Sequence, residues 1–207
     1  MPLREFLKRL IPAAAAPIIR DCREMPPDKA ITYLRLRAWR KLGLRSDRAV
    51  LRRVRPRTIL FVCHGNIMRS PIASALFEAR IAPLGSEIGV ASAGTWTTKG
   101  RPADPRAAAA AEAMGISLAD HRSQPITPGI VAASDLICVM DYRNEIDVLT
   151  RFPGSAKKTI MLGGLDQSAM DGPTIPDPYT LEPGAANQSF QRLDNAVTAL
   201  VRALGLG

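Results

Sequence analysis

From Thr58 onward the chain alternates short apolar runs with stretches of helical texture, and this pattern leaves few ways to fold. Thr58-Ile-Leu-Phe-Val-Cys63 is rich in strand formers, and Ser70-Pro71 then opens a helical stretch, Ile72 to Ile81. Glu87 to Ala91 reads as a second strand, ending in Ser92-Ala-Gly-Thr95. Asp104-Pro105 starts an alanine-rich helix that Gly115 stops. Asp135-Leu-Ile-Cys-Val-Met140 is apolar throughout its interior, as a strand buried on both faces should be. A helix over 141–150, a strand over 159–162 and a terminal helix over 187–204 complete the series. Strand–helix alternation of this kind predicts an α/β protein whose parallel sheet is covered on both sides.

Charge divides the chain where this pattern begins. Residues 1–57 carry a net charge of +11 and residues 58–207 a net charge of −2. The basic character therefore belongs to an N-terminal extension, 1–57, and the main domain is 58–207. Leu3, Phe6, Leu7, Leu10 and Ile11 recur at helical spacing, opposite Arg4, Lys8 and Arg9. Pro26-Pro27-Asp28 looks like a second helix start, with Ile31, Leu34, Ala38 and Leu42 on one face and Gly43 as its stop. Such a basic, helical arm suits an acidic partner, an anionic membrane surface or nucleic acid; its plain alternative is a solvated appendage. An odd count of three separated cysteines argues against a disulfide framework and for a reducing, cytoplasmic setting. No stretch reaches the ~18–20 apolar residues of a membrane span, and no secretory signal is evident.

In sheets of this kind ligands bind beyond the carboxyl ends of the strands. Cys63 closes the first strand and opens Cys63-His-Gly-Asn-Ile-Met-Arg69-Ser70-Pro71. A short loop from strand to helix can aim successive backbone N–H groups at an anion, next to the positive helix end. Gly65 permits close approach and unusual dihedrals, and Asn66 tolerates the left-handed region while tying the loop with its amide. Arg69 offers a planar fork to two phosphoryl oxygens, and its field favours the thiolate of Cys63. Ser70 is placed to donate a hydrogen bond to that sulfur.

A thiolate that attacks phosphorus must expel an oxygen leaving group, so a general acid is wanted. Asp177, stiffened by Pro176 and Pro178 and followed by Tyr179, is the candidate.

A strand followed by Cys-x-Gly-Asn-x-x-Arg-Ser-Pro and a helix, with a late Asp-Pro-Tyr, resembles the low-molecular-weight protein tyrosine phosphatases. The resemblance covers residues 58–205 and includes Ser92-Ala-Gly-Thr95, Gly100-Arg-Pro-Ala-Asp-Pro-Arg106 and Met140-Asp141. It implies a flavodoxin-like fold with a four-stranded parallel sheet in the order 2-1-3-4, a phosphomonoester hydrolase of phosphotyrosine proteins or small aryl phosphates, and neither metal nor cofactor. Carried over residue by residue, it makes Cys63 the nucleophile of a phosphocysteine intermediate. Arg69 becomes the phosphate ligand and Asp177 the general acid and base. His64, Gly65, Asn66, Ile67 and Met68 form the phosphate loop with Ser70, and Ser92 and His121 back Asn66. Trp96 and Tyr179 would line the mouth together with His64 and Ile67.

Two features depart from the family pattern. Met68 stands where many members carry a second cysteine, so Cys63 lacks that protecting thiol. The basic extension has no counterpart in the minimal family domain. Arsenate reductases share this loop but need relay thiols, and here Cys138 reads as core and Cys22 lies in the extension. Phosphoarginine phosphatases carry threonine at the position of Ile67. A silent phosphate-binding module with a basic arm is the non-enzymatic reading, against which Cys63, Arg69 and Asp177 stand together.

Overall fold

The computed structural model describes residues 16–166 and 172–206. It divides the chain into two compact units, Met1–Arg45 and Ser46–Gly207. In the first, α1 (Ala16–Arg23) and α2 (Pro27–Lys41) form a helical pair. Pro27 enters the first turn of α2 and Asp28 sits near its positive end, as the sequence predicts. Tyr33 of α2 donates its hydroxyl hydrogen to Asp21 of α1 at 2.8 Å. The helix expected over residues 3–11 lies outside the described residues.

In the second unit, β1 (Thr58–Cys63), β2 (Gly89–Gly94), β3 (Leu136–Val139) and β4 (Thr159–Met161) make one sheet in the order β2-β1-β3-β4. Every pairing is parallel. This is the 2-1-3-4 order of the flavodoxin-like fold expected above. Register runs from Thr58 opposite Gly89 to Cys63 opposite Gly94 on one side of β1, and Ile59 lies opposite Leu136 on the other. β1 and β3 are central and lie almost wholly inside the core, which explains their unbroken apolar sequences.

Helices cover the sheet: α4 (Arg69–Ile81), α5 (Pro105–Ala113), α6 (Pro128–Ala133), α7 (Tyr142–Arg151) and α8 (Pro183–Ala203). α4 and α8 bury Ile72, Leu76, Phe77, Phe190, Leu193 and Val197 in the main core, with Phe61 of β1 tilted against Phe77 at 5.8 Å. Among the described residues no helix is long and apolar enough to cross a membrane.

Besides the terminal helix, which starts at Pro183 rather than at residue 187, three elements differ from the sequence reading. β2 runs to Gly94 instead of ending at Ala91, because pairing with β1 carries the small residues Ser92-Ala-Gly into the ladder. α6 has no counterpart in the sequence pattern, although Thr127 accepts a hydrogen bond from the Ile130 N–H at its start. The third is α3 (Asp47–Arg53), which places residues 46–57 with the second unit, ahead of the boundary suggested by charge at 57/58. Its Asp47 accepts a hydrogen bond from the N–H of Met161 in the edge strand β4 at 2.9 Å, and Leu51 enters the core. Gly164 leaves room for this carboxylate, since a Cβ there would sit 2.8 Å from Asp47 Oδ2. α3 thereby occupies part of a sheet edge that would otherwise offer unpaired backbone groups.

Candidate active site

The loop from Cys63 to Arg69 leaves the carboxyl end of β1 and enters α4. Met68 precedes the first turn of α4 and gives no side-chain cap, so the backbone N–H groups of that turn are not claimed by it. Within the loop, the left-handed residue is Asn66, with φ of 49°. Gly65 is not in that region, and a Cβ added there would make only ordinary contacts with the Ile67 side chain. The left-handed conformation that asparagine tolerates is thus used at Asn66, and the freedom of Gly65 is not needed for it.

Asn66 is fully buried, and its hydrogen bonds fix the loop. Its Oδ1 accepts from the Gln124 N–H at 2.9 Å. That fixes the amide's orientation, because a backbone N–H must meet oxygen, and it turns Nδ2 toward two serines. Nδ2 donates to Ser70 Oγ and to Ser92 Oγ, each at 2.9 Å. Ser70 Oγ lies 3.0 Å from Cys63 Sγ. It accepts from Asn66 and can donate its own hydrogen to a Cys63 thiolate, with the Ala93 carbonyl, at 3.5 Å, as the other acceptor in reach. The Asn66 N–H also points at Sγ, at 3.2 Å. His121 closes the arrangement with Nε2 2.7 Å from the Asn66 carbonyl, so that nitrogen carries the hydrogen. Burial holds the His121 imidazole below its ordinary range, and Arg122 acts the same way, against the opposing bond to Asn66.

Arg69 is buried with its guanidinium between two carboxylates. Nη1 donates to Asp141 Oδ2 at 2.6 Å and to the Ile175 carbonyl at 3.0 Å. Nη2 donates to Asp177 Oδ2 at 2.8 Å. Burial opposes the charge, but Asp141, Asp177 and Cys63 outweigh it and hold the guanidinium above its ordinary range. Asp177 is fixed from behind, since its Oδ1 accepts from the Tyr179 N–H and Ser189 of α8 donates to the Pro176 carbonyl.

The segment after β2 ties the loop from the other side. Thr95 N–H donates to the Cys63 carbonyl and Trp96 N–H to the His64 carbonyl, both at 2.9 Å. Gly94 makes this approach feasible, because a Cβ there would lie 2.8 Å from the His64 oxygen. Trp96 is 77% exposed and Tyr179 is 58% exposed, and His64 also faces solvent. Arg106 lies 5.7 Å over the Tyr179 ring. Ile67 and Met68 are buried in the main core, so Ile67 is not an open wall of the mouth. Cys138 is also fully buried in β3, where burial pushes its thiol up.

Cys63, Asn66, Ser70, Ser92 and His121 are thus joined by direct contacts, and Arg69 is joined to Asp177 and feels the charge of Cys63. Asp141 and Gln124 complete the group and were not assigned a role from sequence. Asp141 also caps α7 by accepting from the Asn144 N–H at 2.8 Å, and a cap is all that its local sequence advertises. Among the described residues no cluster of three His, Cys, Asp or Glu side chains is placed to hold a metal ion.

A thiol, an arginine and a carboxylate gathered at the carboxyl end of a parallel sheet are the parts of a cysteine-dependent phosphatase. Residues 58–206 match the family model for low molecular weight phosphotyrosine protein phosphatase. The probable low molecular weight protein-tyrosine-phosphatase EpsP of Ralstonia nicotianae is 36% identical over 152 residues, covering 72% of this chain and 99% of that protein. The Wzb phosphatase of Salmonella typhi is 33% identical over 146 residues, covering 70% and 93%. The crystal structure of the Erwinia amylovora tyrosine phosphatase AmsI superposes with a TM-score of 0.64 at 34% identity, over 72% of this chain and 93% of that one. The YwlE arginine phosphatase of Geobacillus stearothermophilus also superposes, with a TM-score of 0.64 at 28% identity, over 72% and 92%. The chain belongs to the low molecular weight protein-tyrosine-phosphatase family.

Proposed function

We propose that this protein hydrolyses phosphotyrosine in proteins, or small aryl phosphates, through a phosphocysteine at Cys63. The observation that carries the reading is the convergence on one sulfur of the Asn66 N–H and the Ser70 hydroxyl, beside an arginine that already holds the acid Asp177. Both donors stabilise the thiolate as nucleophile. Arg69 Nη1 is committed to Asp141 and Ile175, and one Nη2 hydrogen to Asp177, which leaves Nε–H and the second Nη2 hydrogen for phosphoryl oxygens. Asp177, held beside them and protonated, is then the acid for the leaving oxygen.

In the first step sulfur forms a bond to phosphorus, the ester P–O bond breaks, and Asp177 gives its proton to the departing oxygen. In the second, Asp177 takes a proton from water, the water oxygen attacks phosphorus, and the P–S bond breaks. Phosphate leaves and the thiolate is restored. Arg69 and the loop N–H groups neutralise charge on the equatorial oxygens in both steps.

The exposed ring of Trp96 and that of Tyr179 suit the flanks of an aryl group. Three free cysteines support a reducing, cytoplasmic setting, and the charge of residues 1–57 suits an anionic partner. The test is metal-free turnover of p-nitrophenyl phosphate, a phosphotyrosine peptide and a phosphoarginine peptide by wild type, Cys63→Ser and Asp177→Asn. Cys63→Ser should be inactive. Asp177→Asn should slow the phosphotyrosine peptide by about 10²–10⁴-fold, and p-nitrophenyl phosphate less. Equal loss on both would remove Asp177 from the acid role, and preference for phosphoarginine would overturn the substrate class.

A further inference from the structure

Eight large hydrophobic side chains stand exposed among the described residues, and five of them crowd into the short stretch 31–44. Ile31 is 61% exposed, Leu42 69% and Leu44 73%, with Leu34 and Trp39 also open. Such a concentration is unusual on a soluble protein and marks a contact surface. The spacing makes it a single stripe, since Ile31, Leu34, Ala38 and Leu42 follow at i, i+3, i+7 and i+11 along α2 and its C-cap. The opposite face of the helix carries Tyr33 and Leu36, which are buried. Tyr33 is held there by its bond to Asp21 and by Arg37, which donates to its oxygen and lies over its ring. The helix has thus already committed one face to packing, and the more aliphatic face looks outward.

Cations are interleaved with this stripe. Arg35 sits on it, with its guanidinium 4.9 Å over the Trp39 ring, and exposed Lys41 borders it. Residues 1–45 together carry a net charge of +7. Nucleic acid would reward the charge but leave the aliphatic side chains in water. A neutral apolar groove would reward the side chains but not the charge. An acidic bilayer surface rewards both: aliphatic groups enter the acyl boundary, tryptophan lies at the interface, and long basic side chains reach back to the headgroups. The 15 residues of α2 are too short to cross the ~30 Å hydrocarbon layer, so the helix lies in the interface plane.

We propose that α2 docks this protein, outward stripe first, on a lipid bilayer rich in acidic phospholipids. Docking confines the phosphatase to the membrane surface and raises its effective concentration toward substrates held there. The proposal does not depend on the identity of the phosphorylated substrate.

The full chain carries two tryptophans, so Trp96→Phe leaves Trp39 as the only one. This variant is mixed with phosphatidylcholine vesicles with or without phosphatidylglycerol. The expected result is a blue shift of Trp39 emission and co-sedimentation with the anionic vesicles alone, both weakened by salt. Ile31→Ser/Leu42→Ser changes two exposed side chains; p-nitrophenyl phosphate turnover reports that the phosphatase unit remains folded, and unchanged helix content by circular dichroism reports that α2 does. Its vesicle affinity should fall about tenfold or more. Absence of binding to anionic vesicles overturns the proposal. So does equal binding of wild type and Ile31→Ser/Leu42→Ser, which would leave charge alone as the cause. Conversion of a solution dimer to monomer by the same variant would assign the stripe to a second copy of this chain instead.

Discussion

Asn66 shows how much one side chain can hold in place. Its amide reaches Ser70, Ser92 and Gln124, its carbonyl receives His121, and its N–H meets Cys63. A residue with φ of 49° is strained unless its surroundings over-determine it, and these five bonds do so. His121 makes the arrangement sensitive to pH. Its folded-state pKa lies below the unfolded value of ~6.5, because burial disfavours the imidazolium. The unfolded chain therefore binds the proton more readily. Stability is fully present above the unfolded value and is lost as pH falls from there toward the folded value. His121→Gln keeps an N–H donor but does not titrate. Unfolding by urea at pH 7.5 and at pH 5 should show a smaller acid loss in this variant than in wild type. An identical loss would mean that other groups carry the pH dependence.

At the scale of elements, Arg69 is aimed by the meeting of three chain segments: the start of α4, the end of β3 and the acid loop before α8. Asp141 does two jobs at that meeting, capping α7 with Oδ1 and holding Arg69 with Oδ2. Asp141→Asn separates them, since asparagine is an equally good cap but brings no charge. A hydrogen bond to a charged group contributes about 1.5–3 kcal/mol. Turnover should therefore fall roughly 10- to 100-fold by the usual conversion of barrier to rate. The melting temperature should fall as well, since the weakened bond to the buried guanidinium is part of the folded state. Unchanged turnover would show that Ile175 and the loop alone position Arg69. The contrast between the two arginine partners explains what the sequence made legible. Asp177 announces itself because prolines flank it on both sides, although it too caps a short helical turn, Pro178–Thr180. Asp141 looks like a helix cap, and its second role exists only because β3 lies beside β1, a neighbour relation absent from local sequence. The Cys63 loop was legible for the opposite reason: strand, loop and helix are contiguous, and their chemistry is local. His121 and Gln124 come from a segment without regular structure, where periodicity says nothing.

For the whole molecule, charge and packing draw different boundaries. Charge changes at 57/58, where the family match also begins, whereas compactness changes at 45/46. The difference is α3, a basic helix by composition that is structural by contact. Arg48, Arg52 and Arg53 make it read as part of the arm, but Leu51 is buried in the core and Asp47 pairs with the backbone of β4. Burying a leucine contributes about 1.5–3 kcal/mol. Leaving the Met161 N–H without Asp47 costs about 1–3 kcal/mol where water does not replace it. A chain of residues 58–207 should therefore be less stable than one of residues 46–207 by roughly 2.5–6 kcal/mol. For a domain of this size that is a fall in melting temperature of about 5–24 °C. It should also aggregate more readily, because the edge of β4 is uncovered. Both chains retain Cys63, Arg69 and Asp177, so their turnover of p-nitrophenyl phosphate at low temperature should be similar. Thermal melts of the two chains decide the matter: equal melting temperatures would return α3 to the arm, and a large gap makes it the first element of the phosphatase.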